Sequence, residues 1–286
     1  MQTLMLTVEY DGTRYAGWKA APKKENLDTV LGRIHTALAR LLKEDIQLFC
    51  AAKTDPGVHA RGQILSFQTT SSLLPSALKS SLNQVLPQDI AVLDARQVSE
   101  RFHAELLPKH CIWELCIKTG PTPDVFRQKY TLFLPDLPDP LRMQEAFSFL
   151  KGRHDVRCFS PVKKKKAIMR ELYSLRIEHS DDEMQLFLEG SDFLPFMPAT
   201  LMQLLLDIGT GTLDACCIPS IFAGEHSYSG HAPAHALYLH DIVYISDRKD
   251  DFLIVDFTIV SSTFLYMAFW DGVQKSYLQL LNSIVL

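Results

Sequence analysis

Ala52-Lys53-Thr54-Asp55-Pro56-Gly57-Val58-His59-Ala60, followed by Gly62-Gln63, places a turn between two strand-like runs. Proline presets φ and glycine reaches backbone conformations closed to other residues, so Asp-Pro-Gly is sound turn chemistry. Residues 46–51 before the turn and 63–68 after it carry the apolar patterning of paired strands. Moving towards the N-terminus, Val30, Leu31, Ile34, Leu38, Leu41 and Leu42 fall at helical spacing, which predicts a helix over 28–42 with Asp28 or Asn26 as its N-cap. Residues 4–10 alternate as a strand and end at the turn residues Asp11 and Gly12. Moving towards the C-terminus, a helix is expected over 75–86 and a strand over 90–98. The resulting β-α-β-β-α-β order is that of a ferredoxin-like unit.

The alternation then recurs without a visible residue-level repeat. Strands are expected at 111–118 and 130–133, a helix at 141–150, and a hairpin of 172–179 with 184–189 across Ser180-Asp181-Asp182. A helix over 198–208, ended by Gly209, and a strand over 237–245 close the set. The fold class is therefore α+β, with two ferredoxin-like halves whose antiparallel sheets join and leave a central cleft. The expected divisions are 1–105, 106–245 and an extra strand-helix tail over 246–286, with the join between halves near residues 101–109.

A chain of 286 residues with 47% hydrophobic and 22% charged residues can bury a large core, which excludes a disordered polypeptide. No apolar run is long enough to span a bilayer, and the six cysteines lack the dense spacing of a secreted disulfide framework, so a cytoplasmic protein without membrane association is expected. The net charge of −4 weighs against wholesale phosphate binding. Any nucleic-acid contact must come from a local basic face, for which Lys163, Lys164, Lys165, Lys166 and Arg170 are the candidates, with Arg153 and Arg157 nearby. His231, His235 and His240 have no good metal-ligand geometry, so no metal is expected. The Gly209-Thr210-Gly211 segment lacks the Lys-Ser/Thr of a phosphate loop and reads as a helix end.

Taken alone the Asp55 turn is only a turn. The segment Thr54-Asp55-x-Gly57-Val58-His59-Ala60-x-Gly62-Gln63, however, resembles the signature around the nucleophilic aspartate of the tRNA pseudouridine synthase A family. Further agreements follow in the family's order. They are Tyr10-Asp11-Gly12-Thr13-x-Tyr15-x-Gly17-Trp18, Leu82-Asn83-x-x-Leu86-Pro87-x-Asp89-Ile90 and Phe102-His103-Ala104. Later come Leu150-x-Gly152-x-His154-Asp155 with Phe159, Phe193-Leu194, Gly209-x-Gly211, and Ala232-Pro233-Ala234-x-x-Leu237-x-Leu239. The resemblance implies cofactor-free isomerisation of uridine on the 3′ side of the tRNA anticodon stem-loop, with tRNA as partner, by a homodimer. Asp55 would be the catalytic carboxylate, either attacking the nucleotide or removing a sugar proton, on a uridine extruded from its stack. Lys53, Trp113 and His59 would contact the substrate, and a nearby cation is expected to keep the pKa of Asp55 low against burial.

Several positions depart from the family's pattern. Lys53 stands where Arg is typical, keeping charge but losing the planar, bidentate guanidinium. Trp113 stands in place of the Tyr that packs on the target base, Ala199 in place of an Arg paired with the aspartate, and Glu105 in place of an Arg after Phe-His-Ala. Two readings follow from these departures: an active synthase, or a catalytically impaired paralogue retained as an RNA-binding or structural protein.

Overall fold

The first strand, β1 (Gln2–Tyr10), runs antiparallel to two partners, β3 (His59–Thr69) on one side and β4 (Ile90–Val98) on the other. The computed structural model describes residues 1–19, 28–107, 109–163 and 166–245. The tail expected over 246–286, Asn26, Lys164 and Lys165 lie outside these residues. Helices α1 (Val30–Leu42) and α2 (Pro75–Val85) connect the strands of the first half, and the short β2 (Phe49–Cys50) pairs with β3.

The second half contains β5 (Lys109–Thr119), β6 (Leu132–Leu134), α3 (Pro140–Leu150), β7 (Gly152–Asp155), β8 (Met169–His179) and β9 (Glu183–Gly190). It is completed by α4 (Met197–Gly209), α5 (Cys217–Ala223) and β10 (Leu237–Tyr244). Its order, β10-β5-β9-β8, places fourth, first, third and second strands as the first half places β4, β1, β3 and β2. The repeat expected from the alternation of elements is thus present in the topology. The described residues Met1–Ile245 form one compact unit. No helix among them is long and apolar enough to cross a membrane.

The halves meet where β10 lies parallel to β3, with Tyr238 opposite His59 and Leu239 opposite Ala60. The edge of β3 away from β1 is shared, β2 taking the end near Ser66 and β10 the end near His59. Sharing of that edge explains why the strand expected over 46–51 shrinks to two residues. Because side chains alternate across a sheet, Trp113 shares one face with its register partners Leu188 and Leu239, and Glu114 shares the other with Phe187 and Tyr238.

Local differences from the sequence reading have simple causes. The N-cap of α1 is Thr29, whose hydroxyl accepts from the Gly32 amide at 3.1 Å, while the Asp28 carboxylate is taken by Arg33. The helix expected over 198–208 ends at Gly209, with Thr210 as its C-cap and Gly211, at φ 78°, turning the chain away. The helix α5 was not expected. Eleven of the 13 residues of α4 are buried, so this helix is a core element on most of its surface and its N-terminus is a fixed point. Each fully buried Leu or Ile there contributes about 1.5–3 kcal/mol of transfer free energy.

Candidate active site

The loop carrying Asp55 is held by the residues whose motifs flank it in sequence. Tyr10 and Thr54 share a buried hydroxyl hydrogen bond of 2.8 Å, and the Gln63 side chain donates to the Ala52 carbonyl at 2.6 Å. The Trp18 amide donates to the Thr54 carbonyl at 3.0 Å and the Gly57 amide to the Tyr15 carbonyl at 3.2 Å. A Cβ on Gly12 would lie 2.0 Å from the Val58 carbonyl oxygen, and one on Gly17 2.7 Å from that of Thr54, so both glycines are required by close backbone approach. Within the loop the Val58 amide donates to the Asp55 carbonyl at 3.1 Å, with Pro56 and the positive-φ Gly57 at the centre, the pattern of a type II turn.

Asp55 is half-buried, and its Oδ2 accepts from the Phe196 amide at 2.9 Å. Phe196 is the N-cap of α4 and has φ 62°, a left-handed conformation that costs a bulky residue about 1–3 kcal/mol. That conformation brings the amide to the carboxylate across the two halves. Thr200 donates its amide and hydroxyl to the Phe196 carbonyl, fixing the first turn of the helix. Burial raises the pKa of Asp55 to about 6, against the lowering effect of the Phe196 hydrogen bond.

The expected low pKa and neighbouring cation are therefore overturned: among the described residues no cation forms an ion pair with Asp55. Lys53, two residues away, turns its ammonium to Glu105 at 3.0 Å. At the position of the family's arginine, Ala199 is buried, and its carbonyl accepts from the Ala232 amide at 2.9 Å. A carboxyl group with a pKa of about 6 is roughly nine-tenths ionised at neutral pH, which suits a base or nucleophile.

The other candidates occupy distinct places. His59 is buried; its Nδ1 lies 3.1 Å from both the Gly12 amide nitrogen and the Asp11 carboxylate, and its Nε2 lies 3.1 Å from the His235 carbonyl. Stacked 4.7 Å from the Tyr238 ring, it joins the Asp55 loop to His235 and to β10. Trp113 is also buried, its ring edge-on to Phe193 at 6.0 Å, and its indole N–H has no hydrogen-bond partner among the described residues. Arg170 lies on β8, 3.4 Å from Asp192. Lys163 and Lys166 are exposed on the connection before β8.

Sequence reading missed the Phe196 amide, for which no signal exists because every non-proline residue carries one. It also missed a polar cluster on the opposite face of the sheet. There the buried Glu114 accepts from Arg61 at 2.8 Å and from Gln185 at 3.2 Å, and lies 2.8 Å from His240 Nδ1. Cavities of about 440 Å³ beside Asp136, Asp139 and Arg142 and of about 240 Å³ beside Asp11, His59 and Tyr130 include no atom of Asp55.

Comparison with known proteins is consistent with this arrangement. A family model for tRNA pseudouridine synthase matches residues 6–105 and 146–245. The chain is 32% identical over 247 residues to a tRNA pseudouridine synthase A 2 of Bacillus cereus, covering 85% of this chain and 100% of that protein. It is 34% identical over 250 residues to tRNA pseudouridine synthase A of Moorella thermoacetica, again covering 85% and 100%. With the corresponding protein of Ruminiclostridium cellulolyticum it shares 33% identity over 249 residues, with the same coverage.

Proposed function

The chain belongs to the tRNA pseudouridine synthase A family, and on that premise we propose that it converts uridine to pseudouridine on the 3′ side of the tRNA anticodon stem-loop, with Asp55 as the catalytic carboxylate. The reaction breaks the bond between N1 of the base and the sugar, turns the base, joins C5 to the same sugar carbon, and releases the C5 proton to solvent while N1 takes one up. It is an isomerisation and needs no cofactor. Asp55 begins the cycle either by attack on the nucleotide or by removal of a sugar proton, both of which require the ionised form.

The observation that carries this reading is the state of Asp55: half-buried, fixed by the Phe196 amide, and with a pKa of about 6. His59 acts through position, since both of its ring nitrogens are engaged in holding the Asp55 loop. Trp113 is buried against Phe193 and must be uncovered before its face can stack on the extruded base; Lys53 meets the backbone phosphate, and Lys163 to Lys166 with Arg170 extend the contact. The working unit is a cytoplasmic homodimer with tRNA as partner.

The test uses tRNA transcripts carrying tritium at C5 of uridine. Wild-type protein releases tritium and forms pseudouridine at anticodon-arm positions, and Asp55→Ala abolishes both while leaving tRNA bound. The catalytically impaired paralogue is favoured by one observation, the absence of a cation paired with Asp55 among the described residues. Its signature is tRNA binding with no pseudouridine formed at any enzyme concentration.

A further inference from the structure

Lys53 and Glu105 form an ion pair of 3.0 Å whose side chains are 62% and 45% exposed, beside the loop that holds Asp55. The segment bearing Glu105 is anchored on both sides. The Ala104 amide donates to the buried Ser66 hydroxyl at 3.0 Å, and its carbonyl accepts from the Tyr244 hydroxyl at 2.7 Å. The buried Lys109 ammonium donates to the Glu105 carbonyl at 2.8 Å. Hence the Glu105 carboxylate is presented from a fixed backbone rather than from a drifting loop. Asp192 adds a second negative field at Lys53 while also pairing with Arg170 at 3.4 Å.

An ion pair this exposed contributes little to stability, because water solvates both partners nearly as well apart as together. It is therefore easily exchanged for another anion. A nucleic-acid phosphate offers Lys53 comparable attraction and adds the entropy of counterion release. In the folded protein, however, the phosphate must first displace Glu105 and then remain near the displaced carboxylate. We infer that Glu105 is an affinity-setting residue, a built-in competitor that an RNA phosphate must displace from Lys53. The inference rests on the proposed reading that RNA approaches the Asp55 loop. It differs from a role in positioning Lys53, which would make Glu105 helpful to binding rather than opposed to it.

The experiment compares wild type, Glu105→Gln, Lys53→Gln and the Lys53→Gln/Glu105→Gln pair in binding of a tRNA transcript at low and high salt, with steady-state kinetics alongside. Glu105→Gln is expected to tighten the tRNA Kd about three- to fivefold at low salt. The salt slope should steepen by about one phosphate contact, so that the gain shrinks at high salt. The improvement should appear in KM rather than in kcat, and should vanish when Lys53 is already Gln. Weaker or unchanged binding on Glu105→Gln, a gain that survives in the Lys53→Gln background, or no tRNA binding by any form overturns the inference. Failure of the proposed function alone has a different signature: no pseudouridine from any form, while the binding differences persist.

Discussion

Two carboxylates withdrawn from water, Glu114 at the seam of the sheet and Asp55 in the loop beside it, reach opposite charge states. Burial disfavours the charged form of each. At Glu114 that effect is outweighed by hydrogen bonds from His240 and Arg61, helped by the Cys116 thiol, and the pKa falls to about 2. At Asp55 one backbone amide opposes burial, and the pKa rises to about 6. The seam carboxylate is stabilised as an anion and serves structure, tying β3 through Arg61, β10 through His240 and β9 through Gln185 to β5. The loop carboxylate is left undercompensated. Compensation, more than burial, separates a structural acid from a poised one.

The most direct challenge to this contrast is to remove the compensated partner. Glu114→Ala leaves Arg61 and His240 without their acceptor, and we expect a loss of about 2–4 kcal/mol in urea-induced unfolding, the half-exposed Arg61 keeping it below the cost of a wholly buried pair. A loss under about 0.5 kcal/mol, the range of an ordinary surface substitution, would show that the seam does not depend on the network.

The second prediction concerns the pH dependence of catalysis. With Asp55 required as the anion, kcat/KM measured on a tRNA transcript should fall about tenfold per pH unit below an inflection near 6 and level off above it. An inflection near 4 would mean that Asp55 is already held low in the free enzyme, because kcat/KM reports the unbound state.

Stability should carry the same signature with opposite signs at the two sites. The folded-state pKa of Asp55 is raised, so its ionisation destabilises the fold above about pH 6, and the penalty fades as pH falls towards the unfolded value. Asp55→Asn should therefore stabilise the protein by about 1–2 kcal/mol at neutral pH, after discounting for partial solvent access, with the advantage shrinking as pH is lowered to 4. Glu114 behaves in the opposite sense: its contribution is present above the ordinary carboxylate range and is lost as pH falls towards about 2. Thermal unfolding of wild type and Asp55→Asn across pH 4 to 8 measures the first of these. A constant difference between the two proteins would sink it.

The smallest effect is expected from Lys53→Arg. A guanidinium can hold Glu105 and a phosphate in separate bonds, so transcript binding should tighten by about two- to threefold with the fold unchanged. Unchanged binding would show that the exposed pair takes no part in RNA contact, and weaker binding that the guanidinium stays with Glu105 instead of meeting the phosphate.

Much of this was legible in the residues themselves. Tyr10, Gly12, Gly17, Trp18 and Gln63, met as motif positions scattered over more than fifty residues, all converge on the Asp55 loop. Helix α1 and the strands around it follow from apolar periodicity, because spacing within an element is a short-range property. The loss of most of the strand expected over 46–51 was not legible, since it depends on β10 arriving nearly two hundred residues later to occupy the same edge of β3. The indole N–H of Trp113, buried without a partner among the described residues, was equally hidden, because residue type predicts that a donor exists and not what surrounds it.

Residue order alone was enough to specify the two-half α+β architecture, the turn that presents Asp55, and membership of a family whose motifs are carried in order along the chain. The charge state of that aspartate and the partner of Lys53 emerged only with folding. Turns and periodicities are set by neighbours a few residues apart. Desolvation and ion pairing are set by groups that folding brings together from afar: Phe196 lies 141 positions from Asp55, and Glu105 lies 52 from Lys53.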